Sequence, residues 1–181
     1  MKALFWNITD FGATGRRDQI RDVVRGDNID IVGLVETFRD SFSPNELSAI
    51  MGMERFDWHV LPFSGHSVGI LIGSKRDVFD FVDFDHGIFW ASIVVYHKSL
   101  NTLWEFMVVY GPADHSLTSL FLDELSAKIE ACTIPIVIGG DFNLLRTPSD
   151  KSNSKFSWPL GNAFNDFISN CAIRELPRVG A

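Results

Sequence analysis

Residues 134–143, IPIVIGGDFN, contain the pattern from which the fold prediction starts. Residues 134–138 read as a buried strand, and two glycines, Asp141 and Asn143 follow it directly. A strand that ends in a carboxylate and an amide either enters an ordinary turn or holds a ligand. The other strands of the chain are needed to separate these two interpretations.

Three other apolar runs also end in a polar side chain. Asn7 follows ALFW, Glu36 follows IVGLV, and Tyr110 follows FMVV. If these strand ends lie side by side, they form one rim with two carboxylates, two amides and a phenol. Such oxygen ligands suit Mg²⁺ or Mn²⁺, which binds a few carboxylates together with water and a substrate phosphate. The pattern therefore predicts a divalent-metal site that hydrolyses a phosphodiester, with one carboxylate activating water.

The rest of the chain alternates strands and helices. Strands are predicted at 2–7 and 29–36, and helices at 16–25, from the capping box Ser43-Pro44-Asn45-Glu46 to Gly52, at 116–131 and at 162–170. Short segments rich in β-branched and aromatic residues predict consecutive antiparallel strands at 57–63, 69–74, 78–84, 88–97 and 102–110, and a last strand is expected at 173–176. This number of strands predicts an α/β protein with two sheets packed face to face and helices outside.

Composition limits the class of protein. The 181 residues fit one domain, and 46% apolar residues are enough for a well-packed core. A net charge of −7 argues against a broad basic face for nucleic acid, although a bound divalent cation would let an acidic chain act on phosphates. The chain has neither a membrane-spanning apolar run nor a signal-peptide core, so we expect an intracellular protein, nuclear or cytoplasmic, with no membrane contact. The triplet Asn7-Ile8-Thr9 is therefore not interpreted as a glycosylation site.

Four ordered motifs together resemble one known family. They are Trp6-Asn7, Val35-Glu36-Thr37, Val109-Tyr110-Gly111-Pro112 and Gly139-Gly140-Asp141-Phe142-Asn143. Their order and spacing resemble the endonuclease/exonuclease/phosphatase superfamily, and more narrowly the apurinic-type endonuclease domain of plant LINE (non-LTR) retrotransposons. The resemblance covers essentially the whole chain. It implies the DNase I-like fold, a four-layer α/β/β/α sandwich, and Mg²⁺- or Mn²⁺-dependent nicking of DNA by a monomer, with a reverse transcriptase downstream in the parent polyprotein.

The resemblance also implies a role for each strand-end residue. Glu36 would be the main metal ligand, with Asn7 beside it to position the metal or the phosphate. Asp141 would orient or deprotonate the attacking water, and Asn143 would donate a hydrogen bond to a phosphate oxygen. Tyr110 would contact the phosphate near the leaving oxygen. The two glycines before Asp141 would allow close approach of the backbone or the unusual dihedral angles of a turn.

The resemblance also implies that part of the site is missing. The family's site is completed near its C-terminus by a Ser-Asp-His motif, and this sequence contains no such triplet. We therefore interpret residues 1–181 as the N-terminal portion of the domain, C-terminally truncated, with weak or lost activity. His66 and His115 fall in loops that could approach the rim, and they are the histidine candidates.

Simpler interpretations of the same residues remain open. Asp141 and Asn143 could form a turn, Glu36 could be a solvated strand end, Asn7 could cap a turn, and Tyr110 could pack on Pro112. Two alternative functions also remain, which are a phosphomonoesterase of the same superfamily and a non-catalytic remnant or interaction domain.

Overall fold

The structure is a computed structural model that describes residues 1–51, 55–64, 67–150 and 156–177. The chain folds into two compact units. The first consists of Met1–Tyr110 and Ile134–Phe142, and the second consists of Gly111–Thr133 and the chain from Asn143 onward. The predicted helix stop at Gly52, the candidate His66 and the chain end from Arg178 lie outside the described residues.

The first unit contains both sheets. One sheet has the strand order β1-β2-β4-β3 and the other has the order β5-β6-β7-β8. The strands are β1 (Ala3–Asn7), β2 (Ile31–Val35), β3 (Phe56–Ser64), β4 (Ser67–Lys75), β5 (Phe79–His86), β6 (Trp90–His97), β7 (Thr102–Tyr110) and β8 (Ile136–Asp141). The pairs β1–β2 and β7–β8 are parallel, and the other neighbours are antiparallel. Both sheets are therefore mixed.

The main core of the first unit lies between the two sheets. It joins Ile31, Val35 and Ile72 of the first sheet to Ile93, Phe106 and other buried residues of the second. A second cluster covers the opposite face of the first sheet, where Ile20 and Val24 of helix α1 (Arg16–Gly26) and Ile50 of helix α2 (Pro44–Met51) are buried. The prediction of two sheets packed face to face is confirmed.

The capping box before α2 forms as predicted. The backbone N–H of Glu46 donates to Ser43 Oγ at 3.3 Å, and the N–H of Ser43 donates to Glu46 Oε2 at 2.9 Å. These bonds satisfy backbone donors at the helix start, and the bond from the Ser43 N–H holds the pKa of the Glu46 carboxyl below its usual value.

The second unit contains the other two helices. They are α3 (Thr118–Ala131), which follows a 3₁₀ turn at His115–Leu117, and α4 (Trp158–Asn170). Phe121 and Leu125 of α3 and Phe164 and Phe167 of α4 are buried. Helix α4 begins four residues before the predicted start because Pro159 fits the first turn, where its missing N–H costs no hydrogen bond.

Two sequence predictions about strands are wrong. Residues 173–177 form no strand, and most of their side chains are exposed. The five central strands are not one continuous series of pairs, because β4 and β5 belong to different sheets. Apolar alternation shows that a strand is half-buried, but it does not name the neighbour with which the strand pairs.

Candidate functional site

Four of the predicted site residues meet where four strands of the first unit end. Asn7 is the last residue of β1, Glu36 follows β2, Tyr110 ends β7 and Asp141 ends β8. The parallel pairing sets Asn7 beside Val35 and Tyr110 beside Asp141. All four side chains are half-buried. We call these four residues the carboxylate cluster.

The Asn7 side chain connects the two carboxylates of the cluster. Its amide nitrogen, Nδ2, lies 2.9 Å from Glu36 Oε1 and 2.9 Å from Asp141 Oδ2. Tyr110 Oη donates a further hydrogen bond of 2.9 Å to the same Glu36 oxygen. The Asn7 amide thus joins the two carboxylates, and Tyr110 adds a second neutral donor to that of Glu36.

The orientation of the Asn7 amide follows from its surroundings. Its oxygen, Oδ1, accepts the backbone N–H of Thr9 at 3.2 Å and the Thr9 hydroxyl at 3.4 Å. An amide turned the other way would place its oxygen against both carboxylates. The amide oxygen is the atom that could bind a metal, and it faces Thr9, so the metal-ligand role of Asn7 stays a prediction.

Thr9 is a contributor that the sequence analysis missed. The bond from its N–H to Asn7 Oδ1 is an Asx turn, which links an asparagine to the backbone two residues later. The signal is present in the triplet Asn7-Ile8-Thr9, in which two polar residues are separated by one position. The polar residues at its two ends fix the amide that joins the cluster.

The backbone at Glu36 has an unusual conformation. Glu36 has φ +58° and Phe38 has φ +50°, both in the left-handed region that side chains with a Cβ rarely adopt. Backbone hydrogen bonds hold this segment on both sides, because the N–H of Asp10 donates to Glu36 O and the N–H of Thr37 donates to Gly69 O. Thr37 itself is fully buried. The segment that presents the Glu36 carboxylate is thus fixed by its neighbours.

The two glycines before Asp141 lie inside β8, not in a turn after it. Gly140 has φ +134°, and a Cβ there would lie 2.1 Å from the carbonyl oxygen of Val109. A Cβ on Gly139 would lie 2.5 Å from the ring of Phe5. Gly140 thus has the predicted unusual dihedral angle, whereas Gly139 allows close packing of an aromatic ring in the core.

Asn143 belongs to the second unit. Its side-chain amide donates to the carbonyl oxygen of Gly111 at 2.8 Å, and its φ is +50°. The bond joins the two segments that follow β7 and β8. His115 also belongs to this unit, in the 3₁₀ turn before α3. The phosphate-binding role of Asn143 stays a prediction.

The donor set of the cluster fits a hard cation that keeps much of its water. Among the described residues, no group of three or more His, Cys, Asp or Glu side chains could hold a metal. A cage made entirely of such ligands is therefore not formed in that part of the chain. Mg²⁺ does not need one, since it usually binds one or two carboxylates and retains several waters. Both hydrogen bonds to the Glu36 carboxylate engage Oε1, and no described residue donates to Oε2.

The chain belongs to the endonuclease/exonuclease/phosphatase family, whose model matches residues 6–170. A search of curated proteins found no sequence that matches the chain. The family match includes all four residues of the carboxylate cluster and Asn143.

Solved structures show the same fold. The APE2 catalytic domain of Xenopus laevis superimposes with a TM-score of 0.68 at 15% identity, over 92% of this chain and 67% of that one. The human Nocturnin catalytic domain with bound sulfate gives 0.59 at 16% identity, over 80% of this chain and 65% of that one. A mannosyl-6-phosphatase of Bacteroides thetaiotaomicron gives 0.54 at 14% identity, over 78% and 61%.

These matches confirm the predicted α/β, DNase I-like fold. The chain spans 61% to 67% of the length of these three structures. In the parts of the chain that the structure describes, no helix has the length and apolar character needed to span a bilayer.

Proposed function

We propose that this chain hydrolyses phosphodiester bonds of DNA with the help of Mg²⁺ or Mn²⁺. The observation that carries the proposal is the meeting of Glu36 and Asp141 on one amide nitrogen of Asn7. A protein that needed these residues only for folding would gain little by holding two carboxylates together, because like charges repel. Members of this family generally depend on a divalent metal.

Each residue of the cluster has a role in the proposal. Glu36 would hold the cation with its carboxylate, whose Oε1 stays bonded to the Asn7 amide. Asp141 orients the attacking water and accepts its proton. On substrate binding the Tyr110 hydroxyl would turn from Glu36 to a phosphate oxygen, and Asn143 would donate to another, where these donors would oppose the charge that builds up during hydrolysis. A bound cation would supply further charge neutralisation at the phosphate.

The proposal assigns only part of a complete site to this chain. The four motifs support an origin in a LINE-type retrotransposon, in which a reverse transcriptase follows in the polyprotein and the endonuclease domain acts as a monomer. The histidine of a Ser-Asp-His segment would then act on the scissile phosphate, and this sequence has no such triplet. Losing one group that stabilises the transition state typically slows a reaction about 10²- to 10³-fold, so we expect slow nicking.

Supercoiled plasmid DNA tests the proposal. The chain should nick it slowly with Mg²⁺ and not at all with a chelator, and Glu36→Gln and Asp141→Asn should each abolish the activity. Glu130→Gln, at an exposed position of α3, is the matched control and should nick normally. Nicking that survives both cluster substitutions would remove the site assignment.

The same preparations separate the alternative functions. The family includes phosphatases, so a phosphate monoester is tested in parallel. Hydrolysis of the monoester alone, lost in Glu36→Gln, would favour a phosphomonoesterase. If neither substrate is hydrolysed although Mg²⁺ binds, the chain is a non-catalytic member of the family.

A further inference from the structure

Two exposed phenylalanines, Phe38 and Phe63, contact each other, and Phe38 lies two residues after Glu36. Phe38 is 43% exposed and Phe63 is 47% exposed. Their ring centroids lie 5.8 Å apart with an interplanar angle of 68°. We call them the aromatic pair. An edge-to-face pair leaves ring faces open to solvent, and such faces are available for stacking.

The aromatic pair is held at a defined place beside the candidate metal ligand. Phe38 is two residues after Glu36, so their Cα atoms are separated by at most about 7.6 Å. The backbone N–H of Phe38 donates to Val68 O at 3.0 Å, and that of Phe63 donates to Arg39 O at 2.8 Å. Phe63 also pairs with Val68 across β3 and β4. These bonds fix the backbone of both residues relative to the Glu36 segment.

The conformation of Phe38 argues against a purely structural role. Its φ of +50° is uncommon for a bulky residue, and such strain costs roughly 1–3 kcal/mol and is concentrated at functional sites. A phenylalanine that packs in the core offsets such strain through the free energy gained by burying its ring. Phe38 is too exposed to do so fully.

We propose that the aromatic pair stacks on an unpaired base of the nucleic acid whose phosphodiester lies at the carboxylate cluster. This inference rests on the proposed function and adds a substrate class, namely strands with an unpaired base next to the reacting bond. In an intact duplex both faces of each base are already stacked, so the rings can reach a base only in a single strand, a gap or a frayed end.

The charge distribution favours stacking over phosphate contacts as a source of affinity. The chain carries a net charge of −7, and Arg39, next to Phe38, is paired with Glu46 at 2.6 Å, a carboxylate that Arg17 shares at 3.8 Å. A chain with this net charge gains little long-range attraction for a phosphate backbone. Base stacking on aromatic rings needs no net charge.

The size of the aromatic pair argues against a protein partner. A fully buried aromatic side chain covers roughly 150–250 Å², so two half-exposed rings offer roughly 200 Å² together. A stable protein interface buries about 800 Å² on each partner. One or two bases match the available area much better.

A fluorescent oligonucleotide tests the inference. The probe is a short single-stranded oligodeoxynucleotide with phosphorothioate linkages, which slow hydrolysis, and one 2-aminopurine, whose fluorescence is quenched by stacking. It is titrated with the full chain and Mg²⁺. We expect saturable quenching, with Kd raised at least about fivefold by Phe38→Ala and by Phe63→Ala. Phe38→Trp should retain quenching, because it keeps an aromatic face.

Phe81→Ala is the matched control. Phe81 is 40% exposed on β5, where it pairs with Val95 of β6. The end of β7 that carries Tyr110 lies instead beside Trp90, at the start of β6. Phe81 is therefore an exposed phenylalanine away from the carboxylate cluster. The Phe81→Ala variant should bind the probe with a Kd within about twofold of that of the unsubstituted chain, because a surface substitution away from the binding site has only a small effect. Circular dichroism melting of every variant separates a binding loss from a folding loss.

Three results would overturn the inference: no quenching, equal binding by Phe38→Ala, or a blunt duplex that binds as tightly as the single strand. Failure of the proposed function is recognisable separately. Quenching that depends on Phe38 without Mg²⁺-dependent hydrolysis of unmodified DNA would contradict the proposed function alone. Hydrolysis that depends on Glu36, with probe binding indifferent to Phe38, would contradict this inference alone.

Discussion

Tyr110 Oη lies 2.9 Å from Glu36 Oε1, so a side chain of the second sheet donates a hydrogen bond to a carboxylate that follows the first sheet. The two residues are 74 positions apart in the sequence. Asn7 and Asp141 add a second connection between the sheets at the same edge. The carboxylate cluster therefore forms only when both sheets are packed together.

Removing the Tyr110 hydroxyl tests the strength of this connection. Tyr110→Phe should lower the free energy of unfolding by about 1 kcal/mol, because a hydrogen bond to a half-buried carboxylate is lost. Urea denaturation measures the change. Tyr96→Phe is the control, since its hydroxyl donates to Asn101 in the β6–β7 turn and not to a carboxylate. Equal losses in the free energy of unfolding would show that the bond from Tyr110 to the Glu36 carboxylate is no stronger than the bond from Tyr96 to the Asn101 amide.

Magnesium should stabilise the folded chain through the carboxylate cluster. A ligand that binds only the native state raises the melting temperature, so Tm should increase with Mg²⁺ concentration. Glu36→Gln and Asp141→Asn should lose this increase, whereas Glu130→Gln should keep it. In a chelator the two cluster variants should melt no lower than the unsubstituted chain, because each removes one of two neighbouring like charges. An undiminished Mg²⁺ shift in Glu36→Gln would contradict the site.

The cluster could be predicted from the sequence because its residues share one property. Asn7, Glu36 and Tyr110 directly follow an apolar run, Asp141 follows one after two glycines, and parallel neighbours bring such ends to one edge. The orientation of Asn7 could not be predicted in this way. It depends on the left-handed backbone at Thr9 and on two carboxylates that are distant in the sequence.

Other features depend on tertiary neighbours that no local pattern encodes. Gly139 and Gly140 read as a turn because glycine is common in turns, yet they continue β8. The space around them is set by Phe5 and the backbone of Val109, which belong to other strands. The exposure of Phe38 could not be predicted from the sequence either, because a phenylalanine is usually expected in a core.

Gly140 should tolerate substitution least. Gly140→Ala places a Cβ 2.1 Å from Val109 O in a backbone conformation with φ +134°, so we expect a loss of about 3 kcal/mol or more. Urea denaturation or reduced soluble yield will show it. Gly26→Ala is the control, because nothing lies within 4 Å of its Cβ position at the end of α1. It should be neutral or slightly stabilising. A mild effect at Gly140 would contradict the described backbone of β8.

His59 should make stability depend on pH. Its ring stacks on Phe81 at 4.1 Å, and burial lowers the pKa of His59 below the usual 6.5. The folded chain therefore binds fewer protons than the unfolded chain between the lowered pKa and 6.5. Stability should fall as pH decreases through this window, and it should be fully present above 6.5. In urea denaturation at several pH values, His59→Phe should lose this component. Parallel pH profiles for the two proteins would contradict the assignment.

At position 38, glycine should give a more stable protein than alanine, which is the reverse of the usual order of stability. At φ +50°, alanine keeps the strained left-handed backbone, whereas glycine adopts it without a Cβ penalty. Both substitutions lose the contact between the two rings of the aromatic pair. We therefore expect Phe38→Gly to be more stable than Phe38→Ala by about 1 kcal/mol in urea denaturation.

Phe63 provides the matched comparison for this prediction. It is exposed to a similar extent, but it lies in strand β3 and has no positive φ. At this position glycine should be less stable than alanine, because it loses more backbone freedom on folding. If the two positions gave the same order, the left-handed conformation of Phe38 would be wrong, and with it the argument that strain is kept there for binding. Opposite orders of stability at positions 38 and 63 would show that the chain retains an unfavourable left-handed backbone conformation at the exposed Phe38.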